Sequence, residues 1–267
     1  MTDATCPPAL DQACFERIRQ RVCQATGYRL ADERRAVVAS RLQSRLQHHG
    51  LTSFDAYLER VDEQPAEQAL LLSLLIARDT YFFREHRHFE HLFRWLPSLD
   101  HPPRLWSAAC ASGEEAWSLA MVADQSVPTG WEVLASDYDS GLLQQAASGR
   151  YDLSQARYFP PGWMSRYCLC GAEPPASRLQ IASGLRERVR FELINLIQPL
   201  PDELGEFDAI LLRNLLAGFD QRCKADVLLR LMPHLRPGGL LMIGHSESIH
   251  GLDLPLRPIL PSVFERL

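Results

Sequence analysis

Two adjacent carboxylates, Glu114 and Glu115, follow the small residues Cys110, Ala111, Ser112 and Gly113, and an apolar run at 105–109 precedes them. Strand, tight turn and helix start is the order in which open α/β sheets place a ligand outside the carboxyl ends of their strands. Turns that hold phosphate leave the helix N-terminus free, because its unpaired N–H groups and dipole attract an anion. Here acids occupy that position. They stabilise the helix start through the same dipole and favour a ligand that is cationic or rich in hydrogen-bond donors. With a single glycine in the turn, neither the G-x-G-x-x-G fingerprint nor a P-loop is present. An ordinary strand-to-helix turn with an acidic first turn reads the same way, and these residues alone leave the two readings level.

Other polar residues stand where later strands end. Asp137 closes the run Trp131-Glu-Val-Leu-Ala-Ser136, about twenty residues after the glycine turn, where such sheets hold ribose hydroxyls. Asn195 and Leu196 follow an apolar run at 189–194. An Asn there is commonly a turn former, yet its amide offers both a donor and an acceptor to an adenine edge. Arg213 and Asn214 follow the run at 207–212. His245, in Gly244-His-Ser-Glu-Ser248, invites a catalytic reading but fits a polar structural loop better.

The elements that position these residues alternate strand and helix from Arg104 onward, which predicts a mainly parallel sheet. A helix is expected at about 220–235, stopping at Pro237-Gly238-Gly239, with strands at 240–243 and 257–267. Residues 151–188 depart from the alternation: Pro160-Pro161-Gly162, Pro174-Pro175 and Ser183-Gly184 punctuate short runs, and a small inserted antiparallel element is expected there. Residues 10–95 read as all-helical, so the chain divides into a helical domain at 1–95 and an α/β domain at 96–267, joined near His101-Pro102-Pro103. Asp32 is placed to cap a helix ending before Gly50, and Ser53 and Pro65 open two more. On the helix at 33–49, Arg34, Arg41 and Arg45 share one face. A solvated surface explains that stripe; so does a docking face for an acidic protein, since guanidinium forks bind carboxylates bidentately.

Composition narrows the classes. The chain has 267 residues, 46% of them hydrophobic, and a formal charge of −5, which argues against a general nucleic-acid binder. No apolar run approaches the length of a membrane span, and the first residues have neither the basic region nor the apolar core of a secretory signal. Seven scattered cysteines fit a reducing cytoplasm rather than a disulfide framework. The close pair Cys168 and Cys170 has no second pair nearby, so no metal site is expected.

In order and spacing, several segments resemble the chemotaxis receptor glutamate methyltransferases of the CheR type. They are Thr80-Tyr-Phe-Phe-Arg84, Trp106-Ser-Ala-Ala-Cys-Ala-Ser-Gly-Glu-Glu115, Ala135-Ser-Asp-Tyr-Asp139, Ser148-Gly-Arg-Tyr151, Phe207-Asp-Ala-Ile210, Arg213-Asn-Leu215, Leu235-Arg-Pro-Gly-Gly-Leu240 and Gly244-His-Ser-Glu-Ser248. The resemblance implies a Rossmann-like class I methyltransferase sheet with a small antiparallel β insertion, preceded by an all-helical N-terminal domain. It also implies S-adenosylmethionine as cosubstrate and S-adenosylhomocysteine as product. By that likeness the cosubstrate lies across the strand ends opened by the Gly113 turn: Asp137 takes the ribose hydroxyls, Asn195 and Leu196 hold the adenine, Glu115 with Asn214 lines the methionine end, and Arg213 is a further cosubstrate-binding residue. Thr80 and Arg84 close over it, and Arg84, suited to a carboxylate of the cosubstrate or to the incoming glutamate, is the catalytic candidate.

The family's acceptors are glutamates on the cytoplasmic helices of methyl-accepting chemoreceptors, to which the Arg34, Arg41 and Arg45 face would dock. Some members capture a receptor's C-terminal peptide at the β-subdomain by strand addition. A glutamate carboxylate is anionic at neutral pH and needs no general base, so alignment and exclusion of water can carry the transfer. Neither nucleic acid nor membrane insertion enters this reading, and the expected location is the cytoplasm. Two positions depart from the family pattern: Arg78 stands where Asn is common, and Gly218 where a tyrosine near the transferred methyl is usual. They support an alternative, a weakly active or inactive module that binds S-adenosylmethionine or S-adenosylhomocysteine and docks to a receptor or signalling partner.

Overall fold

Capping chemistry delimits the first helices. The computed structural model describes residues 8–76, 79–127, 130–170 and 178–267; Arg78 and the Pro174-Pro175 turn lie outside them. Asp11 accepts the Cys14 N–H at 2.7 Å to open α1 (Gln12–Thr26), which ends at Gly27 in the left-handed region. α2 (Arg35–His49) ends at Gly50 in the same way. It starts later than the sequence suggests, because Asp32–Arg34 form a 3-10 turn and the Asp32 carboxylate is taken by Arg19 at 2.6 Å. Ser53 caps α3 (Phe54–Glu63), and Pro65 opens α4 (Pro65–Leu75). Phe15, Ile18 and Val22 of α1, Leu42 and Leu46 of α2, and Tyr57 and Leu58 of α3 are fully buried, as their helical spacing requires.

Compact units divide the chain at residue 78, with residues 218–220 belonging to the first unit. The helical domain was expected to reach residue 95. Instead α5 (His86–Trp95) belongs to the second unit, because its Phe89 and Leu92 enter that unit's core.

In the second unit, β1 (Arg104–Ala108) leads to α6 (Glu114–Ser126), β2 (Glu132–Asp137) and α7 (Ser140–Ser148). The insertion carries β3 (Arg150–Asp152), α8 (Trp163–Tyr167), β4 (Cys168–Cys170), β5 (Arg178–Ile181) and α9 (Ser183–Arg186), the last a helical turn where a plain turn was expected. Then come β6 (Val189–Leu193), β7 (Phe207–Leu212), α10 (Gln221–Leu231), β8 (Leu235–Ile243), β9 (Leu256–Leu260) and β10 (Val263–Arg266). The large sheet has the order β6-β2-β1-β7-β8-β10-β9, parallel except for β10, and the insertion forms a separate antiparallel sheet β3-β5-β4. The order reverses at β1, so the carboxyl ends of β1, β2 and β7 define the crevice where such sheets bind ligands.

Two expectations shift. β8 begins at Leu235 and runs through the Pro-Gly-Gly segment, with a pairing irregularity opposite Phe207 and Ala209. The last stretch is a hairpin rather than one strand, because Ser262 takes a positive φ of 58° and turns the chain between β9 and β10.

Candidate functional site

The turn after β1 is wound tightly. Ala109, Ala111 and Gly113 all take positive φ, at 71°, 49° and 95°. Gly113 is required on steric grounds as well, since a Cβ there would lie 2.6 Å from the Ala146 Cβ and 2.8 Å from the Tyr151 hydroxyl. Neighbouring strands hold the turn in place. The Cys110 N–H donates to the Ser136 carbonyl at 2.8 Å, and the Tyr151 hydroxyl donates to the Ser112 carbonyl at 2.7 Å. Asp137, buried at the end of β2, accepts the Ala111 and Asp139 N–H groups at 3.0 Å each. The acid expected to meet ribose therefore also fixes the glycine turn.

The two acids that open α6 have different surroundings. Glu114 accepts from the Ser112 hydroxyl at 2.7 Å, and burial raises its pKa. Glu115 accepts from the Ser107 hydroxyl at 2.7 Å and from Arg213 Nη1 at 3.0 Å. Burial still leaves its carboxyl above the ordinary range, with Arg213 opposing the rise. The Arg213 side chain is 1% exposed. It also donates to Glu85 Oε2 through Nη2 at 2.9 Å and to the Arg84 carbonyl, and lies 5.4 Å from the Phe89 ring centroid. Burial works to raise the Glu85 pKa, but the Arg213 charge and the Asn214 amide outweigh it and hold the group below its ordinary value. Asn214, at a positive φ of 60°, donates its side-chain amide to Glu85 at 3.2 Å and its backbone N–H to Glu247 at 2.9 Å. Glu247 also accepts from the Ala217 and Gly244 N–H groups, which secures the loop after β7.

Glu115, Arg213 and Asn214 are thus brought together, with Asp137 and Gly113 on the adjacent turn. Asn195 is tied to the end of β2 through the Ile194 N–H, which donates to the Asp137 carbonyl at 3.0 Å; its own side chain accepts the Ile197 N–H, and Leu196 is buried. Thr80 is half-buried. Arg84 joins the network through its carbonyl; its guanidinium donates to the Asp79 carbonyl and lies 6.0 Å from the Tyr81 ring centroid.

The arginine stripe is not a free face. Arg41 donates to the Leu74 carbonyl at 2.9 Å, and Arg45 pairs with buried Glu67 at 2.7 Å, where Tyr57 and His49 also converge. Arg34 lies in the 3-10 turn before the helix, 3.3 Å from the Tyr28 hydroxyl. Sequence reasoning missed Glu85, Ser107 and Glu247. Each falls inside or directly after a segment already singled out, but none has a spacing that marks it.

The donor set suits a cationic ligand. Glu85 and Glu115 both bond one guanidinium, and a further positive charge would stabilise the ionised form of Glu115 that burial disfavours. Residues 13–76 match the all-alpha domain of the CheR methyltransferases, and residues 78–259 match the SAM binding domain of the same family. The chain belongs to the CheR methyltransferase family.

Relatives agree over nearly the whole length. The chain is 36% identical over 249 residues to the chemotaxis protein methyltransferase of Salmonella typhimurium, covering 91% of this chain and 86% of that protein. It is 37% identical over 250 residues to the one from Escherichia coli, covering 92% and 87%. Chemotaxis protein methyltransferase 2 of Pseudomonas aeruginosa is 36% identical over 247 residues, covering 90% and 88%. The protein is therefore a methyltransferase with S-adenosylmethionine as its cosubstrate, and S-adenosylmethionine carries the ammonium and sulfonium that the acidic crevice suits. Among the described residues no helix is long and apolar enough to cross a membrane.

Proposed function

We propose that the chain transfers methyl groups to glutamate side chains of chemoreceptor cytoplasmic helices, forming methyl esters that tune chemotactic signalling. The observation that carries this reading is the Glu115–Arg213–Glu85 network at the carboxyl edge of β1 and β7, in a chain whose two domains both match this family. S-adenosylmethionine supplies an electrophilic methyl on a positively charged sulfur.

The chain's residues have positioning roles. Asp137 accepts ribose hydroxyls while holding the Gly113 turn, and Asn195 and Leu196 flank the base. Glu115 and Asn214 face the methionine end, and Arg213 keeps the Glu115 carboxylate in place. Thr80 and Arg84 border the same crevice. Because a glutamate carboxylate is already anionic, no residue has to remove a proton. Orientation of oxygen, methyl and sulfur can supply roughly 7–11 kcal/mol of the barrier reduction.

In the small sheet β5 lies between β3 and β4, and Leu169 of β4 is 64% exposed, which supports strand addition by a receptor C-terminal peptide. The test is transfer of labelled methyl from S-adenosylmethionine to a receptor signalling fragment. Base-labile label that is lost in Asp137→Ala is expected. Binding of S-adenosylmethionine without transfer to any receptor fragment would instead favour a regulatory module, the reading to which Gly218 points.

A further inference from the structure

Beside the Arg213 network, three metal-capable side chains converge. Glu85 Oε2 lies 3.7 Å from His88 Nδ1 and 4.0 Å from His245 Nε2, and ligand atoms from all three lie within 4.8 Å of one another. The two imidazoles meet edge to face with centroids 4.8 Å apart. His88, in the first turn of α5, is 2% exposed, whereas His245, after β8, is 45% exposed and opens the cluster to solvent.

Hydrogen bonding fixes the state of the buried ring. The Ser262 hydroxyl donates its one hydrogen to the Pro261 carbonyl at 2.6 Å, so at 2.8 Å it can only accept from His88 Nε2. Nε2 therefore carries the proton in a neutral ring, and Nδ1 presents a bare lone pair toward Glu85 and His245. Nδ1 is buried with no hydrogen-bond partner among the described residues. Leaving such an atom unsatisfied is costly, and a cation bound there would offset the cost. A ligating histidine that donates its other N–H to a fixed oxygen is the usual arrangement behind a metal.

We propose that Glu85, His88 and His245 form a binding site for a divalent transition-metal cation of the zinc class. Bond lengths of about 2.0–2.2 Å to nitrogen and oxygen place tetrahedral ligands about 3.4 Å apart, so the Glu85–His88 spacing of 3.7 Å is already close and the exposed His245 ring makes the larger movement. Two imidazoles and one carboxylate suit a borderline cation, and the exposed side leaves a fourth position for water. Charge favours occupancy, since Arg213, buried beside the site, is paired with two carboxylates, Glu85 and Glu115. Arg87 and Arg94 also line the adjoining pocket but are exposed. The site stands independently of methyl transfer.

Titration of the metal-stripped full chain with Co²⁺, followed by visible absorption, tests it. One equivalent is expected to give the ligand-field bands of a nitrogen and oxygen site without a thiolate charge-transfer band, and Zn²⁺ is expected to displace it. His245→Ala, at a half-exposed position, is expected to weaken binding by roughly tenfold or more while leaving circular dichroism and the melting temperature unchanged. Absence of binding, a thiolate band, or unaltered affinity in His245→Ala would each overturn the proposal.

Discussion

Arg213 Nη1 lies 3.0 Å from Glu115 Oε2, and the guanidinium that makes this contact is shared with Glu85 on its other side. One buried cation therefore joins the start of α6, the end of β7 and the segment before α5. Replacing it by Met leaves two carboxylates in a largely buried setting without their partner. Arg213→Met is expected to lose about 3–5 kcal/mol of stability in urea unfolding. A loss under about 1 kcal/mol would show that the network contributes little to folding.

The Gly113 turn tolerates no side chain, because φ is 95° and a Cβ would meet Ala146 and Tyr151 at 2.6 and 2.8 Å. Gly113→Ala is expected to weaken S-adenosylmethionine binding at least about tenfold by calorimetry, through displacement of the turn and the Asp137 carboxylate bonded to it. Unchanged affinity would separate the turn from the binding site.

Tyr28 fills the space that a side chain at residue 218 would need: a Cβ on Gly218 would lie 2.2 Å from two of its ring carbons. The Arg29 N–H also donates to the Gly218 carbonyl at 2.8 Å. Gly218→Ala is expected to cost about 1–3 kcal/mol through overpacking, and Tyr28→Ala in the same chain is expected to relieve most of that cost. Additive effects in the double variant would contradict the contact.

The Glu67 carboxyl is pulled down to about 2, chiefly by its hydrogen bonds from Arg45, against the opposing effect of burial. Its folded value lies below the unfolded one near 4.5, so its contribution is fully present above pH 4.5 and fades as pH falls toward 2. About 3 kcal/mol is at stake. Stability between pH 5 and 2.5 is expected to fall less steeply in Glu67→Gln than in the parent chain. Equal slopes would contradict the assignment.

Much of this architecture was legible in the residues. Gly27 and Gly50 stop helices, Ser53 and Pro65 start them, and apolar runs end in Asp137, Asn195 and Arg213 at or just after the carboxyl ends of β2, β6 and β7. The partners of the arginine stripe were not legible for a physical reason. Helical spacing shows that Arg41 and Arg45 share a face, but not that Glu67, 22 residues from Arg45, is buried against it. Glu85 was hidden in the same way, since its partners Arg213 and Asn214 lie 128 and 129 residues away. The boundary at residue 95 failed because α5 is helical like the segments before it but buries its apolar side in the second unit.

The central claim is best tested by locating the methyl group. A chemoreceptor cytoplasmic fragment, incubated with the chain and S-adenosylmethionine, can be digested and sequenced by mass spectrometry before and after mild alkali. One added methyl is expected on glutamate side chains, removed by alkali and absent when Asp137→Ala replaces the parent chain. Alkali-stable methyl groups on other residue types, or none on receptor fragments that a family relative does methylate, would contradict it.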